Sequence, residues 1–175
     1  MRMLIAVVVA LGSVACSAAQ PTSESFNVLL KDDGHTWCAY KYQDQFKADA
    51  AALKPTDSVR ITYQASSLTE LTYQIEAESG DWIVIDKYTS SNGDVFLKRA
   101  NLLAQENLQV IQVATIHDGK AGALQVVSVT TLDGRKAELS NVDLPAVPVK
   151  TALVDQPFVR VVVEMRSQAV AKLCK

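Results

Sequence analysis

The fold turns on one stretch, Asp81–Ala104, "DWIVIDKYTSSNGDVFLKRANLLA". Two runs rich in β-branched and aromatic residues flank Asn92-Gly93, a pair that adopts the left-handed backbone of a tight turn at little cost. The stretch therefore reads as an antiparallel hairpin. Upstream, "DSVRITYQA" sets Val59, Ile61 and Tyr63 on one face, and "LTELTYQIEAES" sets Leu71, Tyr73 and Ile75 on one face. That period of two is the signature of half-buried strands. Downstream, "HDGKAG" separates "LQVIQVATI" from "ALQVVSVTTL", and "LDGR" separates the latter from "KAELSNVDL". Both separators are turn chemistry, so both joints are expected to be hairpins.

Nearer the N-terminus, "SFNVLL" and "TWCAYKY" are joined by the turn-prone "KDDG". In "TWCAYKY", Cys38, Tyr40 and Tyr42 alternate with Trp37, Ala39 and Lys41. One segment reads as a helix: "DQFKADAAALKP" has Asp44 placed to cap, Phe46, Ala50 and Leu53 at helical spacing, and Pro55 to stop it. Pro145 and Pro148 make "LPAVPVKTALV" irregular or an edge. The valine-rich "PFVRVVVEMR" predicts a last strand. Many short strands joined by short turns imply a mainly β fold, an antiparallel β-sandwich or barrel-like domain with one short helix at about 44–54. The prolines, with charges such as Lys87 and Lys98, are expected to blunt the sheet edges.

The opening "MRMLIAVVVALGSVAC" carries Arg2 and then an apolar run too short to span a bilayer permanently, the pattern of a secretory signal. Two processing routes compete. Cleavage after "SAA" would remove residues 1–19 and leave Gln20 as the N-terminus. Cleavage before Cys16 would leave that cysteine lipidated, although Ser13 stands where such sites favour leucine. On the first route residues 20–25 form a flexible lead-in to a single β-rich domain at 26–175, in a periplasmic or secreted protein. On the second the chain is an outer-membrane lipoprotein, and Cys16 is its means of membrane attachment.

Either route disposes of one of the three cysteines and leaves Cys38 and Cys174. In an oxidising compartment these two are expected to form a disulfide. The formal net charge of −2 and the scattered basic residues argue against nucleic acid as a partner.

Catalytic signals are sparse. The two histidines, His35 in "DDGHTW" and His117 in "TIHDGK", each stand beside aspartates, so with Asp32, Asp33 and Asp118 they could ligate a divalent ion. The same aspartates are ordinary turn residues. Glu76 and Glu78 have the spacing of two carboxylates on one strand face, which equally describes a solvent face. No nucleophile elbow or phosphate-cradling loop occurs. Trp82 is the aromatic best placed at a strand start to meet a partner.

These observations imply no catalytic residue, metal or cofactor. They favour an exported bacterial envelope protein acting as a non-enzymatic binding or scaffolding β-domain for a protein or envelope component. Two alternatives stand beside it: an envelope hydrolase or metal-dependent enzyme using His35 and His117, and a lipid-anchored accessory of an outer-membrane or secretion assembly. The well-formed site after Ala19 predicts a mature N-terminus at Gln20. Intact-mass measurement of the exported protein checks this, and a mass beginning at an acylated Cys16 would reverse it.

Overall fold

The computed structural model describes residues 22–175 except 56 and 92; the leader, Cys16, Gln20 and Asn92 of the expected turn lie outside the described residues. The chain runs β1 (Ser23–Leu30), β2 (Trp37–Tyr40), α1 (Gln43–Leu53), β3 (Asp57–Gln64), β4 (Ser67–Glu76), β5 (Trp82–Ser91) and β6 (Asp94–Leu103). It continues through β7 (Leu108–His117), β8 (Lys120–Ala121) and β9 (Gln125–Thr131), then a 3-10 turn (Leu153–Asp155), α2 (Pro157–Gln168) and β10 (Lys172–Cys174).

Among the described residues the ten strands form one antiparallel sheet in the order β10-β2-β1-β3-β4-β5-β6-β7-β8, with β9 also on β7. The mainly β expectation stands, and its form is a single open sheet. Among the described residues neither a stacked second sheet nor closure is present. The β5–β6 hairpin has the anticipated register, with Ser91 opposite Asp94, and Gly93 takes a φ of 90° at the turn. Strand β1 starts within the segment expected to be a flexible lead-in, because Ser23, Glu24 and Ser25 pair with Gln64, Tyr63 and Thr62.

One expectation is overturned outright. "PFVRVVVEMR" is not a strand but the first ten residues of helix α2, and the reason is spacing. Phe158, Val159, Val161, Val162 and Met165 fall on one face of a helix and are all buried. Pro157 occupies the first turn, where its missing N–H costs nothing. Five buried side chains on the helical period outweigh the β-preference of the four valines. This helix occupies the place a second sheet would have filled.

Helix α2 lies on one face of the sheet. There Phe26, Val28, Val59, Ile61, Leu71, Tyr73, Tyr88, Leu97 and Ile116, from strands β1 to β7, gather with it into one core. Phe158 anchors the contact, edge-on to Trp37 at 5.2 Å and stacked on Tyr73 at 5.5 Å. Among the described residues, the opposite face is covered by a helix only at β1 and β2. Leu29, Cys38 and Tyr40 pack there against Phe46, Ala50 and Leu53 of α1, the helical face expected from the sequence. Asp44 does not cap this helix; Tyr42 stands at its N-cap and makes no side-chain cap bond.

The chain from Ala137 to Ala152 contains no regular element, so the expected strand "KAELSNVDL" is absent beyond a single bridge from Lys136 to Thr130. A segment without a ladder needs other partners for its backbone, and β5 and β6 supply them. Arg99 donates from Nη1 to the Val147 carbonyl at 2.7 Å, while the Lys150 N–H donates to the Tyr88 hydroxyl at 3.0 Å. Arg99 is in turn held by a fork on Asp86, its cross-strand partner, with Nε to Oδ1 and Nη2 to Oδ2 both at 2.7 Å. The side chains of this pair are only 3% and 1% exposed. Burial disfavours the charged guanidinium, yet the Asp86 bonds outweigh it and raise the Arg99 pKa. Burial, and then the Asp86 carboxylate, push the Tyr88 phenol above its ordinary range.

At the other end of the chain β10 adds to β2, placing Cys174 opposite Cys38 with their Cα atoms 4.0 Å apart, joined as a disulfide. Reciprocal backbone bonds between Trp37 and Lys175 flank the bridge. The covalent link adds to the ladder bonds of this three-residue strand and to Leu173, which packs against the core.

Two outcomes are expected. Oxidised protein unfolded without reductant should expose no maleimide-reactive thiol, and Cys38→Ser should lower stability by roughly 2–5 kcal/mol. Two reactive thiols in the denatured, unreduced mature protein would refute the bridge. Arg99→Met, which strands the Asp86 carboxylate in the core, should cost about 3–5 kcal/mol in denaturant unfolding. The double change Asp86→Leu with Arg99→Met should cost less than that single change. A single-mutant loss below about 1 kcal/mol would show that the pair is better hydrated than its burial indicates.

Candidate binding groove

The register that buries Asp86 and Arg99 fixes what lies behind them. Successive side chains of a strand alternate between faces, so the next residues along, Lys87 and Lys98, stand directly opposite each other on the outer face. Like charges in that position repel. Glu70 on β4 relieves Lys87 with an ion pair at 2.8 Å, but among the described residues Lys98 has no ion-pair partner. Asp86 cannot serve it, because its carboxylate faces the core and is occupied by Arg99.

Beside the lysines, Phe96 is half exposed, at 50%. These three residues border a groove of about 690 Å³, with Thr89, Val113 and Thr115 on its floor and Gly122, Ala123 and Gln125 as its wall. The wall is held by the Gly122 N–H, which donates to the Thr115 carbonyl at 2.9 Å. A Cβ at Gly122 would stand 3.4 Å from the same oxygen, so the wall approaches β7 closely. Below the lysines, the alternation continues the outer face as Ile83, Ile85, Ala100, Leu102 and Ile111, all half-buried and beyond the reach of α1. Chemically the groove offers ammonium groups, two hydroxyls, an aromatic ring and an adjoining apolar floor. That set suits a carboxylate or phosphate joined to an apolar group.

Lys87 and Lys98 were expected to guard a sheet edge. They do not, because β5 and β6 are interior strands with neighbours on both sides. The signal that would have placed them was present in the hairpin: counting outward from the two-residue turn pairs Asp86 with Arg99 and Lys87 with Lys98.

The other candidate residues are dispersed. Trp82 begins β5 opposite Leu103 and is half-buried, lining a cavity of about 250 Å³ with Gln105, Glu106, Asp143, Leu144 and Pro145. It lies at the far end of the strands from Phe96. His35 sits in the β1–β2 turn, where its N–H and that of Thr36 both donate to Asp33 Oδ1. The Thr36 side-chain and backbone bonds, then the His35 backbone bond, hold the Asp33 carboxyl down at about 2. His117 ends β7 with Nδ1 2.6 Å from Asp94 and Nε2 3.4 Å from Asp118, its side chain 74% exposed. Strands β3 to β6 stand between the two histidine-bearing turns, and the structure does not bring them together. Among the described residues no three His, Cys, Asp or Glu side chains converge as a metal set. Glu76 ends β4 and Glu78 lies in the following turn, so they share no strand face.

No helix among the described residues is long and apolar enough to cross a membrane. Compared with family models, curated proteins and solved structures, the chain matches none.

Proposed function

We propose that this is an exported, non-enzymatic binding domain of the bacterial envelope, and that its partner docks in the groove of Phe96, Lys87 and Lys98. One observation carries the proposal: two lysines set directly opposite each other, only one of them in an ion pair among the described residues, beside an exposed phenylalanine. A like-charge cross-strand pair weakens a hairpin, and an anionic group bound over it removes that penalty. The partner fitted by this surface is a protein or envelope component presenting a carboxylate or phosphate next to an apolar patch. Buried aromatic contacts supply most of the affinity at such surfaces, and charges steer the encounter. Support for export comes from the leader at residues 1–19 and from the disulfide, which suits an oxidising compartment.

The decisive experiment places a photo-crosslinking side chain at position 96 in the producing cells and recovers the adduct from the envelope fraction. A discrete adduct is expected. Lys98→Glu should weaken the recovered complex roughly tenfold or more, with the effect shrinking as salt rises. The folded double variant His35→Ala with His117→Ala should leave the complex intact. A greater loss from Trp82→Ala than from Lys98→Glu would move the contact to the Trp82 end of the strands. Loss of biological activity in the histidine double variant would favour the enzyme alternative.

A further inference from the structure

The outer edge of the sheet beyond β7 is unguarded. From Ala121 to Leu132 the sequence "AGALQVVSVTTL" contains neither a charged residue nor a proline. Those are the residues that normally keep a free edge from pairing with another chain. Strand β9 is bonded to β7 on its inner side, with a register shift at Ile111/Gln112. On its outer side it meets only the end of the following turn, through the Thr130–Lys136 bridge and the Ala137 N–H donated to Val129 at 3.1 Å. Among the described residues nothing pairs with the outer edge from Ala123 to Ser128. Val126 and Val127 are 46% and 58% exposed there. A groove of about 420 Å³ runs along this edge, bounded at one end by Lys136 and Ala137. The opposite edge of the sheet is unlike it, ending in a three-residue strand held by a disulfide.

We infer that this edge pairs with the same edge of a second copy of the chain, antiparallel, about a two-fold axis near Val126. The bounding residues select the arrangement. Lys136 and Ala137 fill the outer edge beside Val129 and Thr130, so any added strand must stop before them. In a parallel pairing the two stops would lie at the same level and collide. Antiparallel pairing sets them at opposite ends, outside the shared segment. An uncharged strand also meets its own copy without like-charge repulsion, and the valines of one copy cover those of the other. Such an isologous contact closes on itself and leaves neither β9 edge free.

Sedimentation equilibrium of the oxidised, purified chain over a concentration series tests the pairing. The expected mass rises with concentration from that of one chain to about twice that value. Val127→Lys should abolish the rise while leaving the unfolding transition and circular dichroism unchanged. Lys98→Glu should leave the rise intact, which separates the pairing from anion binding at the lysines, although Ala123 and Gln125 belong to both the groove wall and the edge. As a readout independent of that variant's folding, Val126→Cys should be joined to its copy by a short bismaleimide, whereas Phe96→Cys should not. A chain that stays monomeric across the series would overturn the inference, whether or not a strand from another protein occupies the edge. So would a dimer that survives Val127→Lys, or one crosslinked equally well at both positions.

Discussion

Asp86 and Arg99 face each other across β5 and β6, almost wholly shielded from solvent, and much of the molecule is arranged to keep both satisfied. The carboxylate accepts two bonds from the guanidinium and a third from Tyr88. The guanidinium has a donor left over, and that donor fastens the segment before α2 to the sheet. A buried ion pair is a poor source of net stability against an apolar substitute, but it is unforgiving of misplacement. A slip of one residue in the β5–β6 register would invert one strand against the other, turning Lys98 into the core and Arg99 outward while Asp86 stays buried without its partner. The pair thus acts as a register pin, and the turn at Gly93 and the core pair midway along the ladder enforce the same alignment.

From that alignment follows the asymmetry between the two faces. The inner face is filled by α2 and the irregular segment that Arg99 and Tyr88 hold, with Lys150 lying 5.3 Å over the Tyr73 ring. The outer face is covered by α1 only at β1 and β2, where the Tyr40 hydroxyl bonds Asp49 at 2.7 Å. Covering one face fully and the other in part leaves a broad half-apolar surface over β4 to β7, and the paired lysines give it a sign. Burial also raises the Asp57 carboxyl, against the nearby Lys150, so the inner face carries its own electrostatic tension away from the groove.

Most strands were legible because turn residues and a period of two mark them directly: Val59, Ile61 and Tyr63, or Leu71 and Tyr73, face the core as their alternation implies. The same rule failed at Phe158–Met165. Valine's strand preference points to β, whereas the spacing of the apolar positions is helical and Pro157 marks a helix start. A long segment around Pro145 and Pro148 could be read only as irregular, since its course depends on Arg99 and Tyr88, which are distant in sequence. The disulfide followed from counting cysteines. The groove has no contiguous sequence signature, because it is made of cross-strand neighbours, and Lys87 and Lys98 look unremarkable until the register places them face to face.

Strand order also sets an order of assembly. From β3 to β8 each strand is bonded to its neighbour in sequence, and β9 returns to β7, so this meander can form by local contacts that close quickly. Strand β2 is different: one of its edges waits for Lys172–Cys174, 136 residues beyond Cys38 at the bridge. In chain order β10 follows α2, so the strand that pairs with the free edge of β2 comes after every other strand of the sheet. Before α2 is in place, the inner-face side chains it covers lack that partner. The Cys38–Cys174 bridge can therefore close only on a chain that already includes α2, and the covalent lock coincides with a covered core.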